Sequence, residues 1–183
     1  MMGRNEIYKI DFVLVAAVIL VVFLGILTIY SAGFDPIDKV NNGLYKKQLV
    51  WFIAGFIFMI IATFINYKFL GDYSLYVYGF FLFLLIVTAI FGTPIRNTRA
   101  WLNFGIFSIQ PSEFMKLGLV VILSKYLEMR ERDIRNLREL VIPALLTLVP
   151  VLIILMQPDF GTAAVFIPIL FTMLFVGGAD VTH

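Results

Sequence analysis

Six apolar runs, at about 12–30, 49–65, 75–91, 114–127, 140–156 and 162–176, are what any fold of this chain must accommodate. A helix needs about 20 residues, rising 1.5 Å each, to cross about 30 Å of hydrocarbon, and flanking aromatic residues extend most of the runs to that length. The fourth run is the shortest and is expected to borrow from residues 109–113. Of the 183 residues, 61% are hydrophobic and 14% charged, with a mean hydropathy of +0.97. Soluble domains carry about 25% charged residues. The runs and the composition together predict an all-α polytopic membrane protein of about six transmembrane helices.

The connections between runs are short, polar and rich in helix breakers, as in "SAGFDPIDKVNNG" and "FGTPIRNTRAW". Residues 1–183 therefore read as one transmembrane domain, with no convincing internal repeat of the kind that marks many transporters. The first run follows Arg4 and Lys9 as a secretory signal would, but at about 19 residues it exceeds the usual 7–15-residue apolar core of a signal. It is expected to stay as the first span.

Residue types narrow the chemistry. There is no cysteine, and the one histidine is His183. Thiolate or imidazole metal sites, cysteine nucleophiles and Ser-His-Asp triads are excluded within the chain. Carboxylates, amides, Arg, Lys and aromatics are left. The formal net charge of +2 is small and dispersed, which argues against nucleic-acid binding.

Orientation follows from Lys and Arg. The segment 128–139 carries Arg130, Arg132, Arg135 and Arg138, with Lys125 just before it, and the positive-inside rule assigns it to the cytoplasm. Counting back through four spans places the N-terminus, with Arg4 and Lys9, inside as well, together with Lys68. Lys39, Lys46, Lys47, Arg96 and Arg99 then lie outside, against the rule. Either five charges spread over two loops are ordinary tolerance, or they serve an anionic ligand at the outer face, such as a lipid-linked phosphate.

Two outer turns concentrate the remaining polar residues. In "SIQPSEFMKLGLVVIL", Pro111 suits a first helical turn, Ser112 is expected to cap free amides, and Glu113 complements the helix dipole. Lys116 falls three residues on, where it can pair with Glu113. Such a pair either anchors the helix at the membrane interface or lines a polar cavity that opens outward, since ionisable residues at membrane depth face a bundle interior or water. In "MQPDFGTAAVF", Gln157 and Asp159 lie in a tight turn before the sixth helix, which Asp159 can cap. Trp101 and Phe104, after Arg96 and Arg99, are either part of an aromatic belt or an amphipathic segment on the outer leaflet.

The two motifs together carry a resemblance. "RAWLNFGIFSIQPSEFMKL", followed about 40 residues later by "QPDFGTA", resembles the RodA/FtsW/SpoVE (SEDS) family of membrane proteins, most closely its RodA-type, elongation branch. The resemblance covers nearly all of this chain but only the first part of the family's ten-span pattern. It implies a peptidoglycan glycosyltransferase of the bacterial cytoplasmic membrane, which polymerises lipid II at the outer face during cell elongation and division and releases undecaprenyl pyrophosphate. It implies as partners a class B penicillin-binding protein and other membrane proteins of the elongation complex. Arg99, Trp101, Gln110, Pro111, Ser112, Glu113 and Lys116 match the family's loop and fourth-span motif, and Gln157, Pro158, Asp159, Gly161 and Thr162 match its later outer turn.

Glycosyl transfer needs a base for the acceptor hydroxyl proton and positive charge for the departing pyrophosphate. Lys116 and Arg99 are candidates for the second task. Asp159 is a candidate to orient the acceptor or to hold a divalent cation, with no cofactor certain. The family pattern puts a basic residue directly before the tryptophan, where this chain has Ala100. The family's catalytic Asp belongs to a large outer loop after the seventh span, which the sequence to His183 does not include. No catalytic base is therefore named, and residues 1–183 alone are not expected to polymerise glycan. Two other classes stay open: a flippase for a lipid-linked precursor, and a non-catalytic scaffold for a transpeptidase.

Overall fold

A computed structural model describes residues 11–35, 40–41, 43–95, 98–105, 107–130 and 137–178. Each of the six apolar runs forms a helix, and the chain divides into two compact units, 1–66 and 67–183.

In the first unit, α1 (Phe12–Ala32) and α2 (Leu44–Thr63) flank a two-stranded hairpin, β1 (Phe34–Asp35) and β2 (Val40–Asn41), paired antiparallel. Asp11 starts α1: its Oδ1 accepts from the amides of Val13 at 2.9 Å and Leu14 at 3.0 Å, satisfying donors that a first turn leaves free. Tyr30 and Tyr45 meet edge-on, ring centres 5.1 Å apart, across the connection. The second helix starts five residues before the apolar run it was expected to follow, so Lys46 and Lys47 belong to its first turn rather than to a loop.

The second unit opens with a short helix, α3 (Tyr67–Asp72), that no hydrophobic period announces. It continues with α4 (Ser74–Phe91), α5 (Pro111–Met129), α6 (Leu137–Met156) and α7 (Phe160–Val176). Between α4 and α5 lies a three-stranded antiparallel sheet of β3 (Thr93–Ile95), β4 (Thr98–Asn103) and β5 (Ser108–Ile109), where the sequence suggested only turns or an amphipathic segment. The helices α1, α2, α4 and α6 are long and apolar enough to cross a membrane. The charges of α5 sit in two pairs near its ends, Glu113 with Lys116 and Lys125 with Glu128, leaving an apolar middle. The seventh helix is apolar but has 17 residues.

The core of the second unit is built by Tyr78 and Leu85 of α4, Met115, Leu119 and Leu123 of α5, Ile154 of α6, and Ala163 and Phe166 of α7. Helices α4 and α5 approach closely because residue 118 is glycine: a Cβ there would lie 2.9 Å from the Phe81 ring and 3.5 Å from the Tyr78 Cα. In lipid, where the hydrophobic effect does not drive helices together, such small residues allow the backbone approach that packing requires.

The sixth helix carries two buried prolines, Pro143 and Pro150. Proline lacks an amide hydrogen, so the carbonyls four residues back, those of Glu139 and Leu146, lose their helical donors. Both find a tyrosine instead. Tyr126 of α5 shares its one hydroxyl hydrogen between the Glu139 carbonyl at 3.0 Å and the Glu139 carboxylate at 2.9 Å, and Tyr78 of α4 donates to the Leu146 carbonyl at 2.8 Å. The two bonds pin α6 to both neighbours at levels about 10 Å apart. We expect Tyr78→Phe to destabilise the full-length protein by about 1 kcal/mol, the scale of a hydrogen bond in a membrane protein. In a Pro150→Ala background, where residue 150 again offers an amide, the same change should cost less than half as much. Reversible unfolding in mixed micelles measures both, and equal costs in the two backgrounds would refute the pairing.

Candidate functional site

The site grows out of two helix starts. The sixth helix stops at Met156, residues 157–159 turn the chain, and α7 begins at Phe160 with Asp159 in the capping position. Asp159 Oδ1 accepts from the Thr162 amide at 3.1 Å, and Oδ2 accepts from the Thr162 hydroxyl at 2.8 Å. The sequence expectation of a cap is met. Asp159 also reaches across the unit: the Gln110 side-chain amide donates to Oδ2 at 3.0 Å and lies 3.4 Å from Thr162 Oγ1. Gln110 occupies the capping position of α5. The two outer motifs thus meet through one amide–carboxylate contact between residues 49 apart in sequence.

From Gln110 the polar track continues along α5. Glu113 and Lys116 follow in the first turns of α5, three residues apart and about 60° around the helix from each other, so these two side chains are neighbours. Lys116 Nζ stands 2.8 Å from each oxygen of the Glu113 carboxylate. The Lys116 side chain is 23% exposed and that of Glu113 54% exposed, so the lysine is the more sheltered partner. A glutamate this open to water adds little stability through the pair. Its effect is to hold the ammonium in one place near the helix start, with donors to spare, since a lysine carries three.

Other expected site residues are placed differently. Ser112 does not cap α5: it sits inside the first turn at 1% exposure, and its hydroxyl has no partner among the described residues. Gln157 is also 1% exposed, and its amide donates to the Leu85 carbonyl of α4 at 3.1 Å. It braces the turn that presents Asp159 and does not itself face solvent, while its side-chain oxygen is buried without a partner among the described residues.

Arg99 is exposed on β4, and no hydrogen bond or ion pair joins it to Glu113, Lys116 or Asp159. Ala100 beside it is 1% exposed. A basic side chain at position 100 would point into the protein, whereas the Arg99 side chain is exposed. Trp101 is half-buried, and its carbonyl accepts from the Thr93 hydroxyl at 3.2 Å. The hairpin is tied to α4 at Gly92, where a Cβ would collide with the Thr88 carbonyl and come within 2.6 Å of the Arg99 carbonyl. Arg96, Arg132 and Arg135 lie outside the described residues. No three carboxylate or histidine side chains gather in metal-binding geometry among the described residues, and Asp159 is the sole carboxylate of its own cluster.

Sequence reasoning missed the roles of Tyr78, Tyr126 and the Leu85 carbonyl. The signal for the first two was present: a proline inside an apolar helix predicts a free carbonyl four residues earlier and hence a donor on a neighbour.

The sequence signature of the FtsW/RodA/SpoVE family, described as cell cycle protein, matches residues 11–183. The chain is 33% identical to the peptidoglycan glycosyltransferase RodA of Treponema pallidum over 92% of its own length and 39% of that protein. It superposes on the crystal structure of the rod shape determining protein RodA of Thermus thermophilus with a TM-score of 0.83 and 34% identity, covering 94% of this chain and 55% of that one. A second solved structure, described as the structural coordination of polymerization and crosslinking by a peptidoglycan synthase complex, matches with a TM-score of 0.82 and 34% identity, covering 93% of this chain and 48% of that one. The chain thus spans less than half the length of the RodA of Treponema pallidum. Two motifs joined through Gln110 and Asp159, the superposition and the family signature converge: this chain belongs to the FtsW/RodA/SpoVE family and has a polytopic all-α membrane fold.

Proposed function

We propose that residues 1–183 form the first part of a transmembrane peptidoglycan glycosyltransferase, which polymerises lipid II at the outer face of the bacterial cytoplasmic membrane. The observation that carries this reading is the Gln110–Asp159–Thr162 cluster, which joins the two motifs at the start of α5, the helix that also carries the sheltered Lys116. The names of the relatives support it, since RodA of Treponema pallidum is called a peptidoglycan glycosyltransferase. The solved synthase complex, whose description couples polymerization to crosslinking, supports a class B penicillin-binding protein as partner.

In this reading the acceptor sugar hydroxyl attacks the anomeric carbon of the donor, the bond to the pyrophosphate breaks, and the hydroxyl proton passes to a base. The chain described here supplies the binding groups. Lys116, held by Glu113, places positive charge where the pyrophosphate gathers negative charge. Asp159, fixed by three hydrogen bonds, accepts from a sugar hydroxyl through its remaining lone pairs. Arg99, exposed on the hairpin, meets the phosphates of the incoming lipid.

In the full-length protein, Glu113→Ala, Lys116→Ala and Asp159→Ala are expected to slow polymerisation of lipid II by about tenfold or more, with normal membrane insertion. Parental rates in all three would sink the reading.

Asp159 has both a capping and a substrate role in this reading, and asparagine keeps the cap through one oxygen while placing an amide nitrogen where Oδ2 accepts from Gln110. Asp159→Asn should therefore lose less thermal stability than Asp159→Ala, which forfeits the cap as well at about 1 kcal/mol, while both lose polymerisation. Thermal unfolding beside a lipid II polymerisation assay distinguishes the two.

A further inference from the structure

A groove on the second unit lies at the other end of α5, away from Gln110 and Asp159. It has a volume of about 700 Å³ and runs between α3 and the C-terminal half of α5. Leu70, Val120 and Val121 form an apolar wall, and Lys68, Asp72, Lys125 and Glu128 supply the charges around it. Lys125 lies 15 residues after Gln110, about 22 Å along the helix, so the groove lies well away from the Gln110–Asp159 cluster, toward the other end of α5.

The charges select the ligand. Two lysines and two carboxylates sum to zero, so an anionic or a cationic ligand would each leave the groove with an uncompensated charge. Lys125 Nζ is 3.0 Å from Glu128 Oε2 and 3.9 Å from Asp72 Oδ1, and both carboxylates are exposed. Asp72 in particular is held too loosely for a hydrogen bond from Lys125. A ligand with an apolar tail and a head of both signs fits: the tail against the wall, a phosphate toward Lys125, and an ammonium donating to Asp72 and Glu128.

We infer that this groove is a binding site for phosphatidylethanolamine. Phosphatidylcholine has the same charges, but its quaternary nitrogen has no hydrogen to donate to the carboxylates. Phosphatidylglycerol lacks the positive charge altogether. The site is independent of the glycosyltransferase reading, and its test does not measure activity.

The experiment is native mass spectrometry of the delipidated full-length protein with phosphatidylethanolamine, phosphatidylcholine and phosphatidylglycerol of matched acyl chains. Retention of phosphatidylethanolamine should exceed that of phosphatidylcholine by about fivefold, the effect of roughly one hydrogen bond. Asp72→Asn combined with Glu128→Gln, both at exposed positions, should bring the ratio to near one. Val120→Trp, which fills the groove, should lower retention of all three lipids. A ratio near one in the parent protein, stronger retention of phosphatidylglycerol, or a preference that survives either variant would overturn the proposal.

Discussion

In hydrocarbon a backbone carbonyl without a donor has no water to turn to, and the second unit is organised around that constraint at α6. Two prolines remove two amide hydrogens, and two tyrosines from different helices replace them. The replacement converts a local defect into tertiary contacts, because the donors come from α4 and α5. The Leu85 carbonyl receives Gln157 by the same kind of contact, now from the end of α6 back to α4. Side chains reaching helix carbonyls therefore hold the bundle in register at three levels, where apolar packing against lipid-like surroundings would leave it free to slide.

That register matters at the outer turns. Asp159 caps α7, and Gln110 stands at the start of α5, so their contact records the relative height of two helix ends. Gln157 sits two residues before Asp159 and fixes the turn from beneath. The polar cluster is a product of helix termini, where backbone groups are unsatisfied and side chains such as Asp and Gln are favoured on grounds of hydrogen bonding alone. A carboxylate that satisfies those groups keeps lone pairs for another partner, so one residue can serve fold and ligand together.

Much of this was legible in the sequence, for reasons that can be named. Each apolar run forms a helix, and four of the six are long and apolar enough to cross a membrane, a property that length and hydropathy alone decide. The pairing of Glu113 with Lys116 followed from helical spacing, and the cap at Asp159 from its position before a helix. What escaped was set by tertiary contact or by short range. The six residues of α3 are too few to show a period, and the strand pairs of residues 93–109 alternate too briefly to be read. Ser112 looked like a cap but lies two positions too far into α5, with Gln110 in the capping position. Gln157 looked exposed because the turn is polar, yet its amide is drawn inward by a carbonyl 72 residues away.

The separation between Gln110 and Asp159 also has a consequence for biogenesis. The start of α5 leaves the ribosome 49 residues before its partner, and at about 5–20 residues per second that interval lasts a few seconds. During it the Gln110 amide has no Asp159 to hold it. The cluster forms when α7 arrives. Closure of the two motifs thus waits for the turn between α6 and α7 to come to rest at the level of the start of α5.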